Sequence, residues 1–267
     1  MFRRAATVLG RIATGAAGVQ IGAAAAVALT DKELSKKPDW YQIAVKSLED
    51  ALKATSKKGF IESPSVLQEA EEALSKISDE HNTEIQWRFA RILIEKADLT
   101  KDPKEKAHLL HEAKEHVKKA LAVEPAKGSA GVHKWFAILL SRLDAVEKSN
   151  HGEDIIKHLE KSVSLDNTDP YAFHLLGVAQ YNNKDHKKAL ENFAKAEEIR
   201  RDFSANNHYY SGLALKASGK KDDAIKSFKQ SVQTLPRNSA DEKARSLSKG
   251  ALASLGLKPE EINGDDL

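Results

Sequence analysis

Ten histidines and no cysteine bound the chemistry open to this 267-residue chain. Without a thiol there is no disulfide, no thiolate metal site and no cysteine nucleophile. The nearest approach to metal-ligand spacing is His108-x2-His111. A zinc-protease helix would place Glu directly after the first histidine, and this chain has Leu109 there. No third ligand accompanies the pair, so the sequence predicts no metal and no cofactor. Asp and Glu alternate with Lys as they do along solvated helix faces. No nucleophile elbow, no Gly-rich phosphate loop and no carboxylate pair in an apolar context is present, so the chain reads as a binding protein and not an enzyme. What remains is recognition chemistry. Rings and amides recur at Tyr171, His174, Val178 and Tyr181, and again at Asn206, Tyr209, Leu213 and Lys216. His133, Phe136, Leu140 and Leu143 form an earlier set of the same kind. Rings supply contact area and amides supply register. Ammonium groups cluster at Lys184, Lys187 and Lys188, then at Lys216, Lys220, Lys221, Lys226 and Lys229, against Asp222 and Asp223. Such clusters draw an acidic partner in a salt-sensitive way, or simply solvate a helix face. Two uses likewise compete for the rings: lining a ligand trough, or packing against the cap and the amino-terminal helices.

These residues are placed by a repeat. Leu176-Gly177, Ala189, Phe193 and Ala196 recur as Gly212, Ala224, Phe228 and Ser231, each 35 residues later. The spacing of small residues around Ala-x3-Phe is that of a tetratricopeptide repeat. Small side chains let the two helices of a hairpin approach, and Phe193 and Phe228 fill the space between hairpins. In this frame positions two, five, nine and twelve of each first helix face inward, which selects the groove residues named above. Trp87 and Trp135 occupy the repeat's own tryptophan position and are expected in the core. The basic-and-asparagine clamp by which chaperone-binding repeats hold a terminal carboxylate is missing.

Helical spacing runs from Trp40 to Leu52 with a stop near Gly59, and from Ser65 to Ile77 with Ser63-Pro64 as its entry. Further helices are predicted over 83–97 and 103–123, the last stopped by Glu124-Pro125. The unit over 132–169 carries a four-residue insertion around 147–152. After Pro236, residues 239–255 read as the single capping helix that such stacks need. The expected fold is all-α: a tetratricopeptide-like helical-hairpin solenoid over 39–255 with a C-terminal capping helix. A linker over 31–38 precedes it and a tail over 256–267 follows.

Charge is unevenly placed. Residues 1–30 hold Arg3, Arg4 and Arg11 and no acid, which leaves 39 of the 42 basic side chains against all 39 acidic ones. The body is therefore neutral overall, which argues against nucleic acid as partner and restricts any attraction to a local patch. Residues 12–29 are uncharged and rich in alanine and glycine. That run just reaches the length of a bilayer span, but its apolar area per turn is small. Three readings stand: a mitochondrial presequence, a membrane anchor, or a disordered or peripheral extension.

Several blocks are more specific than the repeat. They are Glu84-Ile-Gln-Trp-Arg-Phe-Ala-Arg91, Val132-His-Lys-Trp-Phe-Ala-Ile-Leu139 and Ile156-Lys-His-Leu-Glu-Lys161. Asp169-Pro170 with His174-Leu-Leu-Gly177 follows, then Ala189-Leu-Glu-Asn-Phe193 with Lys195-Ala-Glu-Glu-Ile199, leading into Phe203-Ser204 and Asn207. In this order they closely resemble the regulator of microtubule dynamics family over about residues 80–235. The resemblance implies a helical repeat protein of the cytoplasm and cytoskeleton that associates with microtubules and the spindle. It implies tubulin as a partner, with the groove open to a second protein. Some relatives carry an amino-terminal membrane segment and sit on mitochondria at contacts with the endoplasmic reticulum, linked to lipid handling, which makes membrane contact through residues 1–30 the alternative. Between Gly177 and Ala189 this chain has a short turn where several relatives have a longer, aromatic-rich insert.

Overall fold

Helix starts in this chain are written by side chains that accept the orphan amide hydrogens of a first turn. In the computed structural model, which describes residues 35–55, 59–76 and 81–263, Ser63 accepts from Val66 N and Asn82 from Glu84 N and Ile85 N. Asp102, Asp169, Asp185, Ser204 and Asn238 act alike. Pro64, Pro103 and Pro170 stand in the first turns, where the missing N–H costs nothing. Twelve helices and no strand follow among the described residues. They form two compact units, Met1–His151 and Gly152–Leu267, with the boundary inside the repeat framed over 132–169.

The first unit contains α1 (Asp39–Ala54), α2 (Pro64–Ser75), α3 (Thr83–Leu99), α4 (Pro103–Ala122) and α5 (Ala130–Glu147). Each packs on the next, and α3 also meets α5. Leu48, Leu67, Leu74, Ile85 and Ile92 form its core between α1, α2 and α3. Ile77, expected to end the second helix, lies outside the described residues, as do residues 1–34 and the segment expected to target or anchor the chain. A buried ion pair locks the α1–α2 connection to α3. Arg91 and Glu95 are each 1% exposed and 3.2 Å apart. Arg91 also donates to the carbonyls of Thr55 (2.8 Å) and Gly59 (2.5 Å), while Glu95 accepts from Ile61 N at 2.8 Å. Burial pushes the Glu95 carboxyl up from its ordinary range, and the adjacent guanidinium opposes that shift. The same guanidinium lies 4.7 Å over the ring of buried Trp135. Trp87 is buried against the bare backbone of Gly131.

The second unit contains α6 (Gly152–Leu165), α7 (Pro170–Asn182), α8 (His186–Ile199), α9 (Ala205–Ala217), α10 (Lys221–Gln233), α11 (Ser239–Ser254) and the short α12 (Pro259–Asn263). Consecutive helices pack in order from α6 to α11, and α9 also meets α11. The 35-residue offset is physical. A Cβ on Gly177 would fall 2.5 Å from the Phe193 ring, and one on Gly212 would fall 2.6 Å from Phe228. Ala189, Ala196 and Ala224 are fully buried beside these rings. Ser231, in the place of Ala196, donates 2.8 Å to the carbonyl of Ala205 and ties α10 to the start of α9. Pro236 lies in the connection to α11. Leu255, Leu257 and Ile262 pack on the Phe228 cluster, so apolar packing continues past residue 255.

Candidate functional site

The inward faces of α7 and α9 carry most of the residues expected to line a groove, and their burial sorts them. His174 is 2% exposed and makes two hydrogen bonds. The Asn207 amide nitrogen donates to the carbonyl of Phe193 and to Glu197 Oε1, both at 3.1 Å. Its oxygen therefore faces His174 Nδ1, which must donate across 3.2 Å. His174 Nε2 then accepts from Asn206 Nδ2, also at 3.2 Å. The ring is a neutral Nδ1–H tautomer whose two nitrogens are both taken. Burial pulls its pKa down to about 4, against the opposing pull of the Asn207 hydrogen bond and the Asp241 charge. Tyr171, Phe193, Phe203 and Tyr210 surround it with ring centroids 5.9 to 6.1 Å away. His174 thus holds the site together from below and has no nitrogen to offer a ligand.

Asp241, on α11, plays the matching role for α9. Its fully buried carboxylate accepts from Ser204 Oγ (2.6 Å), Asn206 N (3.1 Å) and Arg237 N (3.1 Å). Main-chain donors and the positive end of α9 stabilise the charge there. Asn206 is in this way fixed on both sides, by Asp241 at its main chain and by His174 at its side chain.

The open surface is made by tyrosines. Tyr181, Tyr209 and Tyr210 are half-buried and stacked edge to face, with centroid separations of 5.9 Å (Tyr181 to Tyr210) and 5.5 Å (Tyr209 to Tyr210). None of the three hydroxyls has a hydrogen-bond partner among the described residues. Burial first, then the neighbouring phenols, pushes Tyr209 and Tyr210 up from their ordinary range, so both stay protonated donors. Tyr210 is absent from the groove expected from sequence. Its signal was its place next to Tyr209, one step off the inward positions of the repeat frame. Lys216 is exposed on the same face of α9 as Tyr209 and Leu213.

Lysines follow these tyrosines closely in the sequence. Lys184, Lys187, Lys188, Lys220, Lys221 and Lys226 are exposed and Lys229 is half-buried. Lys188 lies 3.4 Å from Asp185 and Lys226 lies 3.3 Å from Asp223. Lys184, Lys187, Lys216, Lys220, Lys221 and Lys229 have no carboxylate within ion-pair reach among the described residues.

His133 and Phe136 belong to α5 in the first unit. His133 is 7% exposed, with Nε2 3.2 Å from Glu124 Oε1, and Phe136 is half-buried. His111 turns toward Glu147 (3.1 Å), linking α4 to α5, and does not pair with His108. A different group has metal-ligand types: Glu197, Asp202 and His208 converge within 4.8 Å. Its oxygens already accept from protein donors, Asp202 N to Glu197 Oε2 (2.8 Å) and Gln230 Nε2 to Asp202 Oδ1 (2.8 Å). The cluster closes the α8–α9 turn.

Known proteins share parts of this chain. The family profile "Regulator of microtubule dynamics protein 1-3" matches residues 52–185 and 183–256. Regulator of microtubule dynamics protein 1 of Mus musculus is 29% identical over 174 residues, 55% of this chain and 56% of that one. Protein 3 of Xenopus laevis is 32% identical over 145 residues, 45% of this chain and 31% of that one. The match thus spans about half or less of these relatives. Among solved structures, one of MamA aligns with 22% identity and a TM-score of 0.47, over 69% of this chain and 92% of that one. Another, of YrrB, titled a TPR protein with an unusual peptide-binding site, aligns with 16% identity and a TM-score of 0.46, over 77% and 89%. At those scores the likeness is loose.

Proposed function

The chain belongs to the regulator of microtubule dynamics family, and from that premise we propose that it binds microtubules through the lysine-rich ends of its carboxyl-terminal hairpins. Five unpaired lysines at or beside the turns following α7 and α9, Lys184, Lys187, Lys216, Lys220 and Lys221, carry this reading. The acidic surface of a microtubule attracts such a patch, and the attraction fades as salt screens it. The tyrosine-lined face of α7 and α9 holds a protein segment. In this reading the protein works in the cytoplasm on the cytoskeleton and spindle, where it regulates microtubule dynamics and chromosome segregation. The test is co-pelleting of the full chain with polymerised tubulin. Binding at low salt that is lost at high salt is the expected outcome, and absence of pelleting at low salt refutes the proposal.

A second reading rests on α1, where Trp40 is 49% and Ile43 68% exposed, 11 and 14 residues after the end of the uncharged run 12–29. Such residues suit a membrane interface and favour a membrane-tethered adaptor on mitochondria or an organelle contact, with lipid or protein in the groove. None of the described helices is long and apolar enough to cross a membrane. Imaging the tagged protein with and without residues 1–30 separates the two: loss of organelle localisation on truncation supports the tethered form, and unchanged filament decoration supports the first.

A further inference from the structure

We propose that Tyr181, Tyr209 and Tyr210, together with Lys184, Lys216 and Lys220, form one composite site for an extended acidic peptide, with phenol hydroxyls donating to its carboxylates or main-chain carbonyls and ammonium groups balancing its charge. The inference rests on the microtubule-binding reading and deepens it, because it merges tyrosine face and lysine patch into a single site within the second unit.

The two ends of the site have one geometry used twice. Lys184 N donates to the carbonyl of Tyr181 at 3.0 Å, and Asp185 N donates to that of Gln180 at 2.9 Å. Thirty-five residues on, Gly219 N donates to Lys216 O at 3.1 Å, and Lys220 N donates to Leu215 O at 3.0 Å. Both turns need a left-handed residue. Gly219 has φ 75°, the slot that glycine fills at no steric cost, whereas Lys184 fills it with φ 66°. A lysine held there against its backbone preference stands just past the end of α7, three residues from Tyr181. In the next repeat, Lys216 lies two turns along the same face from Tyr209.

The donors are unspent. The three hydroxyls have no protein acceptor among the described residues, and the raised ionisation of Tyr209 and Tyr210 keeps these two as neutral O–H donors. His186 Nδ1, buried and without a hydrogen bond, sits on a ring 5.4 Å from that of Tyr181 and adds a further unmet polar atom. The neighbouring acids are mostly occupied. Asp185 caps α8 and contacts Lys188, and Asp223 contacts Lys226, leaving Asp222 against the six unpaired lysines. Net positive charge with hydroxyl donors between half-buried rings matches a segment rich in Glu or Asp, and a neutral peptide would leave the lysines uncompensated.

The probe is fluorescently labelled decaglutamate titrated into the full chain and followed by anisotropy, with decaglutamine as the neutral control. A Tyr181→Phe/Tyr209→Phe/Tyr210→Phe variant keeps the rings and their packing, and is used once its helical signal and melting match the parent. It is expected to lose affinity by at least about tenfold, since hydrogen bonds to charged groups are lost. A Lys184→Ala/Lys216→Ala/Lys220→Ala variant is expected to bind weakly and to lose most of the salt dependence. Unchanged affinity of the phenylalanine variant, or decaglutamine binding as tightly as decaglutamate, overturns the inference. Co-pelleting on microtubules is run alongside. Parent protein that pellets with microtubules but ignores decaglutamate refutes the composite site alone, whereas failure of both refutes the microtubule reading as well.

Discussion

One alanine substitution made at two glycines of the second unit should change stability in opposite directions. Gly250 lies inside α11 with nothing within 4 Å of where a Cβ would stand, so Gly250→Ala removes only the conformational freedom of glycine in a helix. That change stabilises by about 0.5–1 kcal/mol. Gly212 lies inside α9, where the new Cβ would meet Phe228 at 2.6, 2.7 and 3.0 Å. Carbon pairs settle near about 3.5–4.0 Å, so the overlap approaches an ångström. Phe228 is fully buried and Tyr209 packs on it, so the ring has nowhere to move. Overpacking of this kind costs about 1–3 kcal/mol. After the helical gain is subtracted, Gly212→Ala should be destabilising by up to about 2 kcal/mol, and the two substitutions should differ by about 1–3 kcal/mol. Urea unfolding of the full chain followed by circular dichroism measures both. Repeating the pair in a Phe228→Leu background should bring the two effects together, since the contact that separates them is gone. If Gly212→Ala stabilises as much as Gly250→Ala, or if the difference survives in Phe228→Leu, the Phe228 ring is not what reserves position 212 for glycine.

Lys184→Gly should stabilise the second unit by about 1 kcal/mol, because the left-handed conformation no longer opposes a side chain, while decaglutamate binding weakens. Urea midpoints and anisotropy on the same samples check this, and a fall in stability refutes it. His174 should make the fold sensitive to mild acid. Its folded pKa of about 4 lies below the ordinary 6.5, so as pH falls between these values the unfolded chain takes up a proton that the folded chain refuses. Stability should fall through that window by about 3 kcal/mol and no further below it from this group. The groups facing the ring are Tyr171, Tyr210, Asn206 and Asn207, with the Asp241 charge opposing the shift. His174→Gln should flatten that part of the pH dependence, and an unchanged slope would rule out His174 as its source.

Local signals were the legible ones. Ser63-Pro64, Pro103 and the break at Glu124-Pro125 mark helix ends because caps and prolines act within a few residues. The 35-residue offset foretold the glycine–phenylalanine contacts, since the same side chains at the same spacing meet the same neighbour. It also held the equivalence of Lys184 and Gly219, visible once the turn type is known. The unit boundary at His151-Gly152 was less legible, because the insertion around 147–152 breaks the repeat's spacing without saying where packing divides.

Side-chain pattern alone therefore determined the helical class, the helix ends, the repeat and the family. Only tertiary structure decided which inward residues are open. His174 and Tyr209 hold equivalent inward positions in successive repeats, yet one is sealed and the other half-exposed. The difference comes from partners far along the chain. Asn207 and Asn206 reach His174 from 33 and 32 residues away, and Asp241 fixes Asn206 from 35 residues away. Periodicity states which face a side chain takes; what arrives on that face from the next helix, and whether it consumes the polar atoms there, is settled by packing between repeats.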